Sequence, residues 1–531
     1  MVLSHAAEPA NGELIETDLC IVGAGPAGIT MAKQFQTGQT RVCLLESGGR
    51  EVERRPQRRN RGESVGYPLH RLDRSRVRAF GGASRHWPPK EGLAVRPLDG
   101  IDFEARSGLP WSGWPFDRAH LEPWYVSAQA VCQGGPYDYD PTGWTATDAR
   151  AFALDDGTVG TTMFQHGPAA FDGYHAELAA APAVTVFQHA TVTELLPDEH
   201  DPDRVDRAAV RRDDGSHFFV RARIFVLATG GIETPRLLLL SRRAHPSGLG
   251  NAHDLVGRFF AERLSARSGY VVPDRPELID QAGFYDIRPA RGTRVQGALR
   301  VSDAVQRELR LRNCAFFLLR RDASITAEAV RSLATMVKAA RRRPIAPGMP
   351  GYVRNVVTGA RGLAGYGAGV VAARRGGGRP RPEVLVLRVQ AEQAPNPDSR
   401  ITLGDRTDEF GLPVARVDWR VGEDDVASIR SSQELLDAAF RSAGLGRIEG
   451  MLGSEHPPVL FEGNYHHLGA TRMHPAAREG VVDVDAKVHG VRNVYVAGSS
   501  VFPTYGCSNP TLTIVALALR LADHVAKQLG T

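Results

Sequence analysis

His466 and Asn509 are the residues of this 531-residue chain whose types suit chemistry at a bound substrate. Imidazole exchanges a proton near neutral pH and so can serve as a base. A carboxamide cannot remove a proton, but its N–H groups hydrogen-bond an oxygen that is gaining negative charge. The histidine lies in Asn464-Tyr465-His466-His467-Leu468-Gly469-Ala470-Thr471-Arg472-Met473. The asparagine follows about forty residues later in Ser508-Asn509-Pro510-Thr511-Leu512-Thr513, at the mouth of an apolar helix. Either residue alone reads equally well as a structural hydrogen-bonding group. Their weight comes from a nucleotide-binding signature at the other end of the chain.

That signature is a set of elements in order. Asp18-Leu19-Cys20-Ile21-Val22 is a short apolar strand that ends in Gly23-Ala24-Gly25-Pro26-Ala27-Gly28. A helix to about Gln36 follows, then a second strand, Arg41-Val42-Cys43-Leu44-Leu45, which ends in Glu46. The glycines allow a tight turn and close backbone approach, so a pyrophosphate can sit on free N–H groups at the helix N-terminus. Glu46 falls where a carboxylate binds ribose hydroxyls. Two more strand-to-glycine units, Ala222–Ala228 before Thr229-Gly230-Gly231 and Val494–Ala497 before Gly498, are predicted to join the same sheet. The intervening residues then form a second domain, whose strongest strands are 383–390 and 414–421.

Length and composition set the frame. A chain of 531 residues predicts two or more domains, and 42% hydrophobic with 24% charged residues is a globular balance. A net charge of +5 without a nucleic-acid motif argues against a nucleic-acid partner. The five cysteines are far apart, lack metal-ligand spacing and read as reduced, buried thiols, which predicts a cytoplasmic protein with no metal. Met1 to Asn11 shows no secretory pattern, and no apolar run approaches a membrane span. Residues 332–382 are rich in Arg, Ala and Gly; a solvated helix and a mobile loop near the site entrance are expected there, with a membrane-surface helix as the alternative.

These pieces resemble the glucose–methanol–choline (GMC) flavoprotein oxidoreductases, and within them the pyranose oxidase-like and bacterial glycoside-oxidising branch. The matching segments are Gly23-x-Gly25-x-x-Gly28 with Glu46, Phe80-Gly81-Gly82-Ala83-Ser84-Arg85-His86-Trp87, and Gly230-Gly231-Ile232-Glu233-Thr234-Pro235-Arg236. The His466 block and Gly498 with Ser508–Thr513 complete the set. They run in family order over nearly the whole chain, with 263–454 the least diagnostic region.

The resemblance implies an α/β protein, α+β overall: a Rossmann-like FAD-binding domain (12–110, 186–262 and 455–531) and a substrate domain (111–185 and 263–454) on a mixed or antiparallel sheet with helices. It implies FAD held by Gly23, Gly25, Pro26, Ala27, Gly28, Glu46 and Ser47. Further contacts are implied for Gly81, Gly82, Ser84, His86 and Trp87, for Thr191, Val192, Ala228, Thr229 and Gly230, and for Gly498, Ser499, Asn509, Pro510 and Thr511. His466, by its offset from Arg472-Met473, is the base, and His467 a packing neighbour. Asn509 orients the substrate oxygen while flavin N5 receives the hydride. Pro510 opens the last helix, whose N-terminus would face the flavin pyrimidine ring. Similar pyranose oxidases attach flavin through a histidine at the position of His86, but Pro88-Pro89 stands here where they carry a small hydroxyl residue, so a covalent link stays open. The implied activity is oxidation of an alcohol on a sugar, glycoside or related polyol, with oxygen or another electron acceptor and a possible homo-oligomer. A sterol or lipid alcohol oxidase, a non-redox flavin lyase and a non-catalytic flavoprotein are the alternatives.

Overall fold

Three strands from distant parts of the chain run parallel and adjacent: Leu14–Val22 beside His217–Leu227, and Val494–Val496 on the far edge of the latter. Val42–Leu45 and Val184–Phe187 extend this sheet in parallel on the other side. Their C-terminal ends, Leu19–Val22, Val42–Leu45 and Ile224–Leu227, are unbroken apolar runs, because there the sheet is covered on both faces and meets no water. Leu19, Cys20, Ile21, Leu44, Phe225, Val226 and Leu227 are all buried in one core. The helices Pro26–Gln34, Arg118–Val131 and Thr511–Leu529 pack together over it. An antiparallel pair, Thr191–Pro197 and Val205–Arg211, completes seven strands by joining the first half of His217–Leu227.

The structure is a computed structural model that describes residues 9–87, 92–146, 149–154, 157–168, 170–275, 277–321, 384–450, 452 and 461–531. The basic segment 332–382 and the Pro88-Pro89 pair lie outside the described residues.

The second sheet has eight strands and is antiparallel. Gly446–Gly450, Leu264–Pro273, Val384–Ala391, Cys314–Arg321, Thr293–Val301, Val159–Gly167 and Leu93–Val95 follow one another, with Arg288–Ala290 paired to Thr293–Val301. The helix Glu423–Ser442 packs against it and contributes Ile429, Leu436 and Phe440 to a second core. The two strands expected to be the strongest of this region part company. Val384–Ala391 lies inside the eight-stranded sheet, whereas Pro413–Trp419 pairs with Arg400–Thr407 and Glu63–Gly66 in a separate three-stranded sheet. Alternation of apolar residues marks a strand but not its partner. The 12–110 segment accordingly supplies strands to all three sheets.

The two large sheets are joined at the site by short bridges. Ala261 pairs with Leu468 and Ser265 with Glu462, so the chain around His466 runs beside the lead-in to Leu264–Pro273. Among the described residues no helix is long and apolar enough to cross a membrane.

Candidate active site

The C-terminal ends of the parallel strands open onto one cavity of about 810 Å³. Its walls take Gly23 after Val22, Glu46 after Leu45, Ala228 and Thr229 after Leu227, and Gly498 after Ala497. Ligands of doubly wound sheets lie in this position. The turn after the first strand depends on its glycines: a Cβ on Gly28 would fall onto the Gly23 carbonyl oxygen, whereas a Cβ on Gly25 would meet nothing and would only narrow the cavity. Gly25, Pro26 and Ala27 form the wall at the N-terminus of Pro26–Gln34, whose first amides are free for an anion.

Glu46 is buried and oriented by that turn. Oε2 accepts the Ala24 N–H at 2.9 Å and Oε1 accepts the Gly48 N–H at 2.8 Å, which leaves further lone pairs for a ribose. Burial raises its pKa, and the backbone donors and Arg78 oppose that rise. Ser47 and Thr191 share a hydroxyl–hydroxyl hydrogen bond of 2.8 Å beside it, with Val192 next in the wall. These residues fit the adenosine and pyrophosphate parts of a dinucleotide.

The loop at Phe80–Trp87 packs on the same turn. Gly81 donates its N–H to the Ala24 carbonyl at 2.8 Å, and the Ser84 hydroxyl donates to the Gly81 carbonyl at 2.7 Å. Gly82, Ser84, His86 and Trp87 line the cavity; Gly28 and Gly81 do not, and their role is to let backbones touch. The His86 ring lies 5.2 Å from that of Tyr465, and burial lowers its pKa.

At the other end the cavity meets the eight-stranded sheet, which presents Phe164, His166, Gln296, Phe317, Leu319 and Arg388. Here stand His466 and Asn509, with Gly230, Ser499, Pro510 and Thr511 close along the wall. Tyr465, just before the histidine, adopts φ +64°, a left-handed conformation that costs about 1–3 kcal/mol for a non-glycine residue. The His466 backbone N–H donates to Glu262 Oε1 at 2.7 Å, and the amides of Asn464 and Arg263 donate to the same oxygen at 3.1 Å each. Burial, then Arg263, then His467 holds the His466 pKa well below the usual histidine value, so its ring is neutral at pH 7. Its Nδ1 is buried without a hydrogen-bond partner in the protein.

His467 also lines the cavity but has different neighbours. Its ring stacks on Phe260 at 6.0 Å and its Nε2 lies 3.7 Å from Glu262 Oε2. Burial, with Arg76, His70 and His86 nearby, pushes its pKa down to about 3.

Asn509 does not cap the final helix. That helix is Thr511–Leu529 with Pro510 at its N-cap, one position earlier than expected for the proline. The Asn509 Nδ2 donates to the Ala94 carbonyl at 3.0 Å, and its Oδ1 accepts from Arg263 Nη1. This fixes the amide and leaves one N–H free to point at a ligand.

Glu262, Arg263, His70 and Arg388 escaped the sequence reading. Glu262 and Arg263 stand at the start of an ordinary strand, with no spacing that marks them. His70 accompanies Tyr465 through a ring contact of 4.8 Å, with its Nε2 3.0 Å from the Gly463 carbonyl oxygen.

Comparison with known proteins finds relatives over nearly the whole chain. The family profile described as GMC oxidoreductase matches residues 395–518. The 6'''-hydroxyparomomycin C oxidase of Streptomyces lividus is 24% identical, covering 98% of this chain and 93% of its own. The C-glycoside 3-oxidase of Microbacterium trichothecenolyticum is 23% identical over 97% of both chains. Among solved structures, an FAD-dependent oxidoreductase from Chaetomium thermophilum superposes with a TM-score of 0.54 at 15% identity, over 96% of this chain and 99% of its own. Pyridoxine 4-oxidase from Mesorbium loti gives 0.52 at 14%, over 96% and 99%. With the nucleotide turn, the glycine loop and the His466–Asn509 wall in one cavity, the chain is similar over nearly its whole length to oxidases and dehydrogenases of CH–OH donors, and its residues 395–518 match the GMC oxidoreductase profile.

Proposed function

We propose that this chain oxidises a hydroxyl group of a sugar, glycoside or related polyol, with His466 as the base and Asn509 as the residue that orients the reacting oxygen. The observation that carries the reading is the shared wall. A neutral, buried imidazole and a carboxamide held on two sides line the end of the cavity that also meets the antiparallel sheet. FAD, when bound, supplies a hydride acceptor for the carbinol carbon.

The protein's own groups do the rest. His466, neutral because it is buried, has a ring lone pair available for the hydroxyl proton. The free Asn509 N–H stabilises the oxygen as that proton leaves. Gln296, Gln390 and His166 on the facing strands offer polar partners for further hydroxyls, while Phe164 and Phe317 present apolar faces for a ring. The relatives named 6'''-hydroxyparomomycin C oxidase and C-glycoside 3-oxidase favour a glycoside among the possible alcohols. Buried, unpaired cysteines favour a reducing, cytoplasmic setting.

The test is anaerobic bleaching of the bound flavin by a panel of sugars, glycosides, polyols and sterols. Saturable bleaching by a glycoside or polyol supports the reading. Bleaching by sterols alone, or by nothing in the panel, overturns it.

A further inference from the structure

Arg263 is a buried cation whose hydrogen-bonding capacity is largely unspent. It is 3% exposed and lines the cavity beside Asn509. Nη1 donates to the Cys507 carbonyl at 3.1 Å and to Asn509 Oδ1. Among the described residues Nε is buried without a hydrogen-bond partner. Among the described residues no carboxylate forms an ion pair with it. Its neighbour Glu262 turns away, giving Oε1 to three backbone amides and Oε2 toward His467.

Such an arrangement is costly unless something compensates. Burying a guanidinium without a counter-ion is among the larger penalties in a protein interior, and most buried charges are paired. Arg388, on the strand paired with Leu264–Pro273, also lines this end of the cavity and adds positive charge. Burial first, then Arg388, lowers the Arg263 pKa to about 9, so the side chain is still charged at pH 7. Burial pushes the Glu262 carboxyl up to about 7, which weakens it as a source of compensating charge.

We infer that the alcohol oxidised here is carried on a molecule with a carboxylate, and that the Arg263 guanidinium binds this carboxylate beside Asn509. The fork of a guanidinium matches a carboxylate with two parallel N–H···O bonds. The substrate class is then an acidic sugar or its glycoside, such as a uronide. This inference rests on the oxidoreductase reading for the reaction, while the anion site stands on geometry alone.

Acetate, which has no carbinol group, tests the site on the oxidised holoenzyme through perturbation of the flavin absorbance. A saturable shift is expected, weakened about ten- to a hundredfold in Arg263→Met and less in Arg263→Lys. Flavin content and thermal unfolding establish that each variant is folded, and Arg263→Lys serves where Arg263→Met is not. No saturable shift in the wild type, or one unchanged in a folded variant, overturns the inference. A second arm compares anaerobic bleaching by methyl glucuronide and methyl glucoside. A half-saturation about tenfold lower for the glucuronide, lost on replacing Arg263, supports it. Equal half-saturation overturns it and leaves the oxidoreductase reading standing. Arg263-dependent acetate binding without bleaching by either glycoside supports the anion site and counts against the sugar reading.

Discussion

Glu262 Oε1 accepts the backbone N–H of His466 at 2.7 Å, so the segment that carries this histidine hangs from a carboxylate with no solvent exposure. Two more amides share that oxygen. His466, the proposed base, is therefore positioned by an acid about two hundred residues earlier in the chain, and replacing the acid should disturb His466 without touching its side chain.

Glu262→Ala leaves three buried N–H groups without an acceptor, each costing about 1–3 kcal/mol where water cannot enter. Glu262→Gln keeps an oxygen in place and is expected to fold. The two variants also separate charge from shape. Burial raises the Glu262 pKa from 4.5 to about 7, so the folded protein holds this proton more tightly than the unfolded chain. The resulting stability is fully present below about pH 4.5 and is lost as pH rises toward 7, by on the order of 3 kcal/mol. Thermal unfolding should therefore show wild type losing ground to Glu262→Gln between about pH 5 and 7. Parallel curves for the two proteins would remove the raised pKa from the account.

His466→Ala should retain flavin, because the nucleotide turn and Glu46 lie at the far end of the cavity. Anaerobic flavin reduction should slow by about 10² to 10⁴-fold, the usual contribution of a positioned base. Stopped-flow absorbance measures this directly, and an unchanged rate would rule His466 out as the base.

The pH profile of the same step follows from the sign of the His466 shift. Burial lowers its pKa from 6.5, so the neutral form persists into mildly acidic solution and is lost only below the lowered value. Flavin reduction at saturating substrate should stay level from about pH 8 down through 6.5 and fall at lower pH. A fall centred at 6.5 or above would mean that the ring is solvated during turnover.

Gly28→Ala addresses the opposite end. Its Cβ would collide with the Gly23 carbonyl oxygen, a backbone atom that cannot swing aside as a flexible side chain would. The purified variant should contain much less flavin than wild type and unfold at a lower temperature. Gly25→Ala, where a Cβ meets no atom of the protein, should fold normally and lose flavin alone. If both variants retained full flavin, the turn would not be the phosphate cradle.

The readable parts of this chain were those whose meaning is local. Gly23, Gly25 and Gly28 announce a turn because their spacing acts within one strand–helix junction. Cys20-Ile21-Val22 and Phe225-Val226-Leu227 announce buried parallel strands because an unbroken apolar run needs cover on both faces. His466 and Asn509 were found by the company they keep in their own motifs. The pairing of Val384–Ala391 and Pro413–Trp419 into different sheets was not readable, since an alternating strand carries no address for its neighbour.

The amino-acid sequence by itself determined the dinucleotide turn, the parallel core strands and the residue types available for base and oxygen contact. Tertiary structure alone decided what surrounds them. It brought Glu262 under the His466 backbone, set Arg263 against Asn509, and stacked His467 on Phe260. Those relationships arise where two bridges, Ala261–Leu468 and Ser265–Glu462, join segments about two hundred residues apart. The physical reason is that burial and electrostatic environment belong to the assembled cavity. A glutamate or an arginine at the head of a strand acquires its proton affinity, and its unspent hydrogen bonds, only when the rest of the chain closes around it.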